Sequence, residues 1–323
     1  MVDIEERRTK RKGTTFLLVV AAIAFLLAAF TRLLGIDGTR HMVATTALTP
    51  YFTAAGVLLG AVALLARRWA VGTVTLLVAA VLVAAVAPRA FPDPRPVAVG
   101  REVTVMSLNL LVGTAEAEAV VAAVRERRVD VLALQELSPA MVRDLDRAGL
   151  AEVLPYRHFL DEPGGSGSGI ASRYPVSPRA LAAPSTLRQA GALVDLPGED
   201  LELVSVHPLP PVVDEGPEHW QRDLAGLPKR VLGGPVRVLA GDFNATLDHV
   251  GLRRLLTSGY VDAADQVGAG LDPTWPSGAL WPPPVTIDHV LVDDRCPVEG
   301  FTVLDVPGTD HRAIVTRFVL PAR

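Results

Sequence analysis

The stretch LAGDFNAT, residues Leu239–Thr246, follows the apolar run PVRV and places two polar side chains at the end of a predicted buried strand. Because side chains alternate between the faces of a strand, Asp242 and Asn244 would share one face and Phe243 the other. Gly241 permits a close approach of neighbouring backbone. Taken alone, the pattern is equally typical of a strand that ends in an Asx turn. The other strand ends have to distinguish the two interpretations.

Polar residues that can bind metal or transfer protons recur where other predicted strands begin or end. Each has a structural alternative: Glu136 as a helix-capping acid, His207 as a turn residue, Asp288 as an edge-strand charge. Their recurrence favours a shared site, since α/β proteins gather ligands at strand ends. The complete set comprises Asn109, Glu136, His207, Asp242, Asn244, Asp288, Asp310 and His311.

The order of predicted elements indicates the fold class. Strand and helix patterns alternate in the first half of residues 101–323, and strands dominate the second half. This order predicts an α/β domain with a mixed sheet covered by helices.

The N-terminal part is far more apolar than a soluble domain. Half of all residues are hydrophobic, and three uncharged stretches precede residue 90: Thr14–Phe30, Val43–Ala66 and Trp69–Ala87. Each approaches the length of about 20 apolar residues that crosses a bilayer. We therefore predict a membrane anchor of about three transmembrane helices in residues 1–90, a proline-rich linker over 91–100 and a catalytic domain over 101–323. A cleavable signal peptide is the alternative for the first stretch, but two more apolar stretches follow it at once.

Basic residues near the apolar stretches predict the orientation. Five lie at the start of the chain, and Arg67 and Arg68 separate the second stretch from the third. The positive-inside rule then places the N-terminus in the cytoplasm. With three crossings the protein is a multi-pass membrane protein whose catalytic domain is extracellular or periplasmic. With only two crossings the domain would lie inside. The five basic residues at the start are Arg7, Arg8, Lys10, Arg11 and Lys12.

Charge and cysteine content limit the function classes. Residues 97–323 hold 20 basic and 30 acidic side chains, a net charge of −10, whereas residues 1–96 carry +6. The acidic domain disfavours long nucleic acid, which needs basic contacts to phosphates, although it does not rule out such a substrate. A bound metal would still permit a phosphate substrate. Cys296 is the only cysteine, so intramolecular disulfides and cysteine zinc clusters are excluded.

Over about residues 102 to 320 the chain resembles the endonuclease/exonuclease/phosphatase superfamily, which contains DNase I, AP endonucleases, inositol polyphosphate 5-phosphatases and neutral sphingomyelinases. The fold implied is a DNase I-like four-layer α/β sandwich, here preceded by transmembrane α-helices. Leu111 stands where some AP endonucleases carry an acid, which weakens an abasic-DNA interpretation. The matching pieces, in order, are SLNL, LQEL, SGIASRYPV, SVHPLP, GDFNAT, PTWP, IDHVLV and GTDHRAIV.

The resemblance also implies a divalent metal, usually Mg²⁺, with Mn²⁺ as an alternative and no other cofactor. Magnesium takes oxygen ligands and keeps several waters, so one or two carboxylates suffice. Glu136 is then the main metal carboxylate, Asn109 supports the metal or a phosphate oxygen, and Asp310 is a further carboxylate.

The catalytic roles follow from the same resemblance. His311 lies beside the scissile phosphate and Asp288 accepts a hydrogen bond from its ring. Asp242 and Asn244 orient the attacking water, and His207 donates to a phosphate oxygen. Whether Asp242 or His311 takes the water proton stays open.

The function predicted is a membrane-anchored metal-dependent phosphoesterase that hydrolyses a phosphodiester or phosphomonoester. Its substrate could be a lipid headgroup, a small phosphoester or a nucleic acid. The alternative is a non-catalytic membrane-tethered binding module of the same fold. No protein partner is indicated. Arg173 is interpreted as structural, with a contact to the substrate phosphate as the alternative. Trp275 and Trp281 are interpreted as ordinary loop packing, with an aromatic rim as the alternative.

Overall fold

The computed structural model describes residues 2–94 and 99–321, and the side chains from residue 12 onward within those ranges. The chain forms two compact units. Unit 1 extends to Pro88 and includes Asp248–Val250, and unit 2 comprises Arg89–Leu247 and the chain from Gly251 onward. Part of the predicted linker, residues 95–98, lies outside the described residues. Its first residues belong to unit 2, because Pro92 forms a β-bridge with Val267.

Unit 1 is helical. Two of its helical segments, Lys12–Leu34 and Trp69–Ala90, are long and apolar enough to cross a membrane. A bent pair supplies a third if its two helices form one span. The helices are α1 (Val2–Leu34), α2 (Arg40–Ala47), α3 (Thr49–Leu65) and α4 (Trp69–Val86), followed by a 3₁₀ turn at Ala87–Ala90.

The second predicted span, Val43–Ala66, is broken into α2 and α3, which meet at 68°. The break falls at Leu48, and Pro50 lies in the first turn of α3. Proline lacks a backbone N–H, which is no loss in a first turn but would interrupt the interior of a continuous helix. The sequence therefore favours a new helix start at this point.

Unit 2 contains all twelve strands of the described residues. They are β1 (Glu102–Asn109), β2 (Val131–Gln135), β3 (Tyr156–Leu160), β4 (Ser168–Ser172), β5 (Val176–Pro178), β6 (Gly191–Leu196), β7 (Glu199–Val206), β8 (Val236–Asp242), β9 (Tyr260–Asp262), β10 (Asp288–Asp293), β11 (Val298–Asp305) and β12 (Arg312–Val319). The helices are α5 (Ala117–Glu126), α6 (Pro139–Arg147), α7 (Leu150–Val153), α8 (Gly216–Ala225), α9 (Val250–Leu256, whose first residue is assigned to unit 1) and α10 (Ala263–Gln266).

The strands form two six-stranded mixed sheets. The first has the order β11-β12-β1-β2-β4-β3 and the second β5-β6-β7-β8-β10-β9. Within them β1 pairs with β2 in parallel and β7 with β8 in parallel, while β10 and β12 run antiparallel to β8 and β1. These mixed sheets with their helices confirm the predicted α/β class.

Alternation along the strands builds two separate cores. In β1, Val103 and Val105 contribute to a core that also takes residues from the second sheet, such as Val238. Met106 and Leu108 face the other way, into a core shared with α5 and α6. The period of two in the strand sequence thus buries one face against the other sheet and one against helices.

The strand directions determine where a site can lie. The carboxyl ends of β1, β2, β7 and β8 share an edge with the amino ends of the antiparallel β10 and β12. For example, Asp288 at the start of β10 pairs with Asp242 at the end of β8. Every site residue predicted from the sequence lies at or next to one of these six strand ends.

Candidate active site

The first group of contacts joins the two sheets at this edge. The Nδ2 atom of Asn109, the last residue of β1, donates to Glu136 Oε1 and to Asp242 Oδ2, both at 3.1 Å. Glu136 comes directly after β2 and has a left-handed φ of 56°, a conformation that is uncommon for a residue with a side chain. Its Oε2 accepts from Val112 N–H at 2.7 Å. Asn109 therefore fixes two carboxylates that come from different sheets.

The two oxygens of Asp242 have different partners, which answers the question raised by GDFN. Oδ1 accepts from the backbone N–H of Asn244 at 2.8 Å, an Asx turn. Oδ2 faces the site, 3.8 Å from His207 Nε2 and 3.7 Å from His311 Nε2. The Asx turn expected from the structural interpretation is present on one oxygen, and the other oxygen lies among the residues of the predicted site.

Gly241 is needed because β7 passes so close. A Cβ at this position would lie 2.1 Å from Val206 O on the neighbouring strand, far inside van der Waals contact. Any other residue would push β8 away from β7 and displace Asp242. The glycine thus permits the close backbone approach expected from the sequence.

The second group of contacts surrounds His311. Its Nδ1 lies 3.0 and 3.1 Å from the two carboxylate oxygens of Asp288. Since those oxygens can only accept, Nδ1 carries the proton. Nε2 points towards Asp242 and lies 3.9 Å from Asp310 Oδ1. Asp310 Oδ2 accepts from Trp275 Nε1 at 2.9 Å.

Two predicted residues complete the edge. Asn244 Nδ2 donates to Pro208 O at 3.3 Å, which ties the GDFN turn to the residue after His207. His207 is buried, and neither of its ring nitrogens has a hydrogen-bond partner among the described residues. Buried polar atoms normally have partners, so this ring stands out among the buried side chains of the described residues.

Several contributions were not predicted. Thr274 Oγ1 accepts from the N–H of Asp288 at 3.1 Å and so holds the start of β10. Gly165 of the glycine-rich loop lies against Glu136, since a Cβ there would be 3.1 Å from Oε2. Arg173 bonds to Val129 O and pairs with Asp130, as its structural interpretation requires.

Residues 106–311 match the model of the Endonuclease/Exonuclease/phosphatase family. The chain belongs to this family. The matched segment includes all eight predicted site residues, from Asn109 to His311. The resemblance seen in the motifs is therefore confirmed. Members of this family are typically phosphoester hydrolases.

Solved structures of the family show the same DNase I-like fold. The endonuclease/exonuclease/phosphatase from Beutenbergia cavernae DSM 12333 has 21% identity and a TM-score of 0.56, over 69% of this chain and 72% of that one. D. rerio TDP2 complexed with single strand DNA product has 17% identity and a TM-score of 0.53, over 68% and 99%. Truncated Caenorhabditis elegans TDP2 has 19% identity and a TM-score of 0.52, over 68% and 98%. No curated protein sequence matches the chain significantly.

Burial and neighbouring carboxylates shift the pKa values of three residues in this cluster. Burial raises the pKa of Asp242, and the nearby Asp288 adds to this, against the opposing effect of the histidines. For His311, burial alone would lower the pKa, but Asp288 and Asp242 outweigh it and raise the pKa to about 10. Burial lowers the pKa of His207. At neutral pH His311 is thus a cation and His207 a neutral donor.

The donor set suits a hard divalent cation. Asp242, Asp288 and His311 could bring their ligand atoms within 4.8 Å of one another, but both oxygens of Asp288 already face the His311 ring. Glu136 and Asp310 are more open, with 17% and 40% of their side chains exposed. Asp310 Oδ1 is buried without a hydrogen-bond partner among the described residues. Mg²⁺ takes oxygen ligands, usually from one or two carboxylates, and keeps several of its waters.

Proposed function

We propose that the chain is a membrane-anchored hydrolase of phosphate esters that uses a divalent metal. The observation that carries the proposal is the convergence of both sheets on one cluster of acids, amides and imidazoles. Asn109 bridges Glu136 and Asp242 by hydrogen bonds, and the imidazoles of His207 and His311 lie within 4 Å of Asp242. Such a cluster can hold a phosphate, a water and a cation together, which is what ester hydrolysis needs.

Asp242 and Asn244 orient the attacking water. The Asx turn holds Asp242 in place through Oδ1, and Asn109 Nδ2 donates to Oδ2. Oδ2 faces the two histidines and is the oxygen that would accept a proton from water. A raised pKa makes Asp242 a better proton acceptor than an ordinary carboxylate. The water hydroxyl joins phosphorus, the bond from phosphorus to the leaving oxygen breaks, and the leaving oxygen takes a proton. Asp242 is therefore our candidate for the general base.

The two histidines serve as donors to the phosphate. Asp288 holds His311 in its protonated form, so Nε2 can donate to an oxygen on which charge develops. His207, neutral and unpartnered in the described structure, has a ring N–H for a second oxygen. Both rings would contribute more in the transition state, where the charge on these oxygens is greatest.

Glu136 would hold the metal, with Asp310 as a further carboxylate and Asn109 as the support that orients Glu136. In this arrangement Asn109 Oδ1 accepts from Leu111 N–H at 3.0 Å, so its amide acts as a donor towards the carboxylates. A bound Mg²⁺, or Mn²⁺ in its place, neutralises phosphate charge and stabilises the leaving oxygen.

The experiment that tests this function uses the full chain in detergent. Bis-p-nitrophenyl phosphate, plasmid DNA, sphingomyelin and inositol phosphates are assayed with Mg²⁺, with Mn²⁺ and with EDTA. We expect cleavage of at least one substrate with metal and none in EDTA. His311→Ala and Glu136→Ala should each lose about 10³-fold in kcat/KM. The matched controls are His219→Ala, a half-buried histidine, and Glu152→Ala, an exposed glutamate, both in unit 2. A folded chain inert on every substrate would favour the binding module.

Anchoring rests on the apolar helices of unit 1. If α1, the bent pair and α4 each cross the bilayer, the positive-inside rule leaves the N-terminus in the cytoplasm and unit 2 outside. If the bent pair does not cross, both lie on the cytoplasmic side. A reporter fused after Arg323 distinguishes the two. A periplasmic or extracellular signal supports three crossings, and a cytoplasmic signal contradicts them.

A further inference from the structure

Exposed apolar side chains of unit 2 recur on the loops that leave the site edge. Three such loops follow Asn109, His207 and Trp275. Five of the exposed large hydrophobic residues of unit 2 lie on them: Val112, Val212, Val213, Leu280 and Trp281. Single exposed apolar residues are ordinary, but several beside one site mark an interaction surface.

The loop from Pro276 to Pro284 has the largest exposed apolar side chains. Leu280 is 89% exposed and Trp281 is 83% exposed. Residues 273–287 contain no charged side chain, although the domain as a whole is acidic. Exposing these apolar side chains to water is unfavourable, and the loop has no basic side chain that could contact the phosphates of a nucleic acid.

The base of this loop is fixed to the reacting groups. Trp275 and Val285 form a β-bridge with two hydrogen bonds, Trp275 N–H to Val285 O at 3.0 Å and Val285 N–H to Trp275 O at 2.7 Å. The indole of Trp275 donates to Asp310 and lies beside the ring of His311, with centroids 6.4 Å apart. Whatever the tip contacts is therefore held close to the phosphate site.

The position of the loop's unit in the chain indicates that the loop contacts a membrane surface. The last apolar segment of the chain runs to Ala90, and Arg89 O already accepts a hydrogen bond from Gly270 N–H within unit 2. The proposed anchor and unit 2 are therefore consecutive along the chain. Tryptophan and leucine are residues that enter the interface of a bilayer. The net charge of −10 over residues 97–323 favours a zwitterionic lipid surface over an anionic one.

We infer that the loop 276–284 inserts Leu280 and Trp281 into the membrane interface and that the substrate is a phosphate ester of a zwitterionic lipid in that membrane. The inference rests on the proposed hydrolase function and selects one substrate class from those it allows. Water supplies the hydroxyl that joins phosphorus, and the lipid oxygen leaves with a proton.

The test uses the full chain in phosphatidylcholine nanodiscs, which expose both bilayer faces. Phosphocholine release from the bilayer is compared with hydrolysis of bis-p-nitrophenyl phosphate in the same sample. In the double variant Leu280→Ser, Trp281→Ser, the ratio of lipid to soluble-ester hydrolysis should fall at least about tenfold. The matched control is Leu232→Ser, which removes a leucine of 83% exposure just before β8, at the opposite edge of the sheet. Its ratio should stay that of the wild type.

A second measurement does not depend on activity. Lipids with brominated chains quench tryptophan that enters the bilayer, so quenching should be greater in the wild type than in Trp281→Phe. Equal quenching, or an unchanged ratio in the double variant, would overturn the inference. Hydrolysis of the soluble ester alone would overturn the lipid substrate and leave the hydrolase standing. Quenching without hydrolysis of either substrate would contradict both the proposed hydrolase function and the lipid substrate.

Discussion

The two edges of the sheets in unit 2 both carry buried or half-buried carboxylates, but the charged partners of these carboxylates differ. At the edge opposite the site, Glu202 pairs with Arg237, and Asp293 pairs with Arg295. At the site edge, histidines are the only basic side chains within 4 Å of the acids among the described residues. Those acids are Glu136, Asp242, Asp288 and Asp310.

The paired carboxylates stabilise the fold, whereas the carboxylates of the site edge are arranged for the proposed function. A buried carboxylate beside a guanidinium is neutralised within the fold. The site edge instead keeps an excess of negative charge that no guanidinium neutralises. Burial, with a smaller contribution from Asp288, raises the pKa of Asp242, and Asp288 and Asp242 together raise the pKa of His311 against the effect of burial. Such an excess costs stability and is expected where an external cation binds. The comparison therefore supports a metal site without reference to any relative.

The largest expected effect comes from removing one charge at each edge. Asp242→Asn should lower kcat/KM by about 10³-fold, because the candidate base is lost. In EDTA it should not lower the thermal unfolding midpoint, because a carboxylate that is costly to bury in its charged form is replaced by a neutral amide that can still accept the hydrogen bond from Asn244 N–H. Glu202→Gln should leave kcat/KM near the wild-type value but destabilise the protein by about 2 kcal/mol, since Arg237 loses its partner. If Asp242→Asn destabilised as much as Glu202→Gln, the contrast between the edges would be wrong.

Metal addition should stabilise the site edge alone. At a Mg²⁺ concentration of 100 times Kd, linkage predicts a gain of about 2.7 kcal/mol in unfolding free energy. The measurement is the thermal midpoint of the full chain with Mg²⁺ and with EDTA. Glu136→Gln should abolish most of the gain, and Glu152→Gln, an exposed glutamate, should keep it. An undiminished gain in Glu136→Gln would place the cation elsewhere.

The His311–Asp288 pair predicts a pH dependence in EDTA. The pKa of His311 is about 10 in the folded protein and about 6.5 when unfolded. Because the folded value is the higher one, the pair contributes fully below about pH 6.5 and its contribution is lost as the pH rises through 10. Stability followed from pH 6 to 10 should therefore fall further in the wild type than in Asp288→Asn. Parallel curves for the two proteins would show that the pair does not raise the pKa.

The smallest effect is expected at Trp275, which acts through Asp310. Trp275→Phe keeps the ring but removes the hydrogen bond to Asp310 Oδ2, and kcat/KM should fall by about tenfold. A double-mutant cycle with Asp310→Asn identifies the positioning role. The two losses should not add, because the indole N–H of Trp275 acts on the carboxylate charge that Asp310→Asn removes. Additive losses would show that Trp275 acts independently of Asp310.

The sequence predicted the strands and the polar residues at their ends because both depend on local pattern. A period of two defines β1 and β8, and a carboxylate or amide after a buried run stands out, as at Glu136 and Asp242. Resemblance to the family then ordered these residues into one set. The roles assigned to the individual residues stay predictions until the variants are measured.

What the sequence did not reveal depends on contacts between distant segments. The N–H of Val112 reaches Glu136 only because Leu111 and Val112 adopt left-handed backbone, with φ of 47° and 54°. Neither residue type favours that conformation, so no local pattern announces it. The Trp275 contact likewise joins residues 35 positions apart. The bend between α2 and α3 has a local cause in the sequence, because Pro50 is a residue typical of a helix start.

The strand that carries His311 to the site is β12, which lies between β11 and β1 in the first sheet. Its docking both closes that sheet and delivers the imidazole that faces Asp242. A chain that ends at β11 therefore has neither a complete first sheet nor the imidazole of His311. Under the proposed function, such a chain would not hydrolyse phosphate esters.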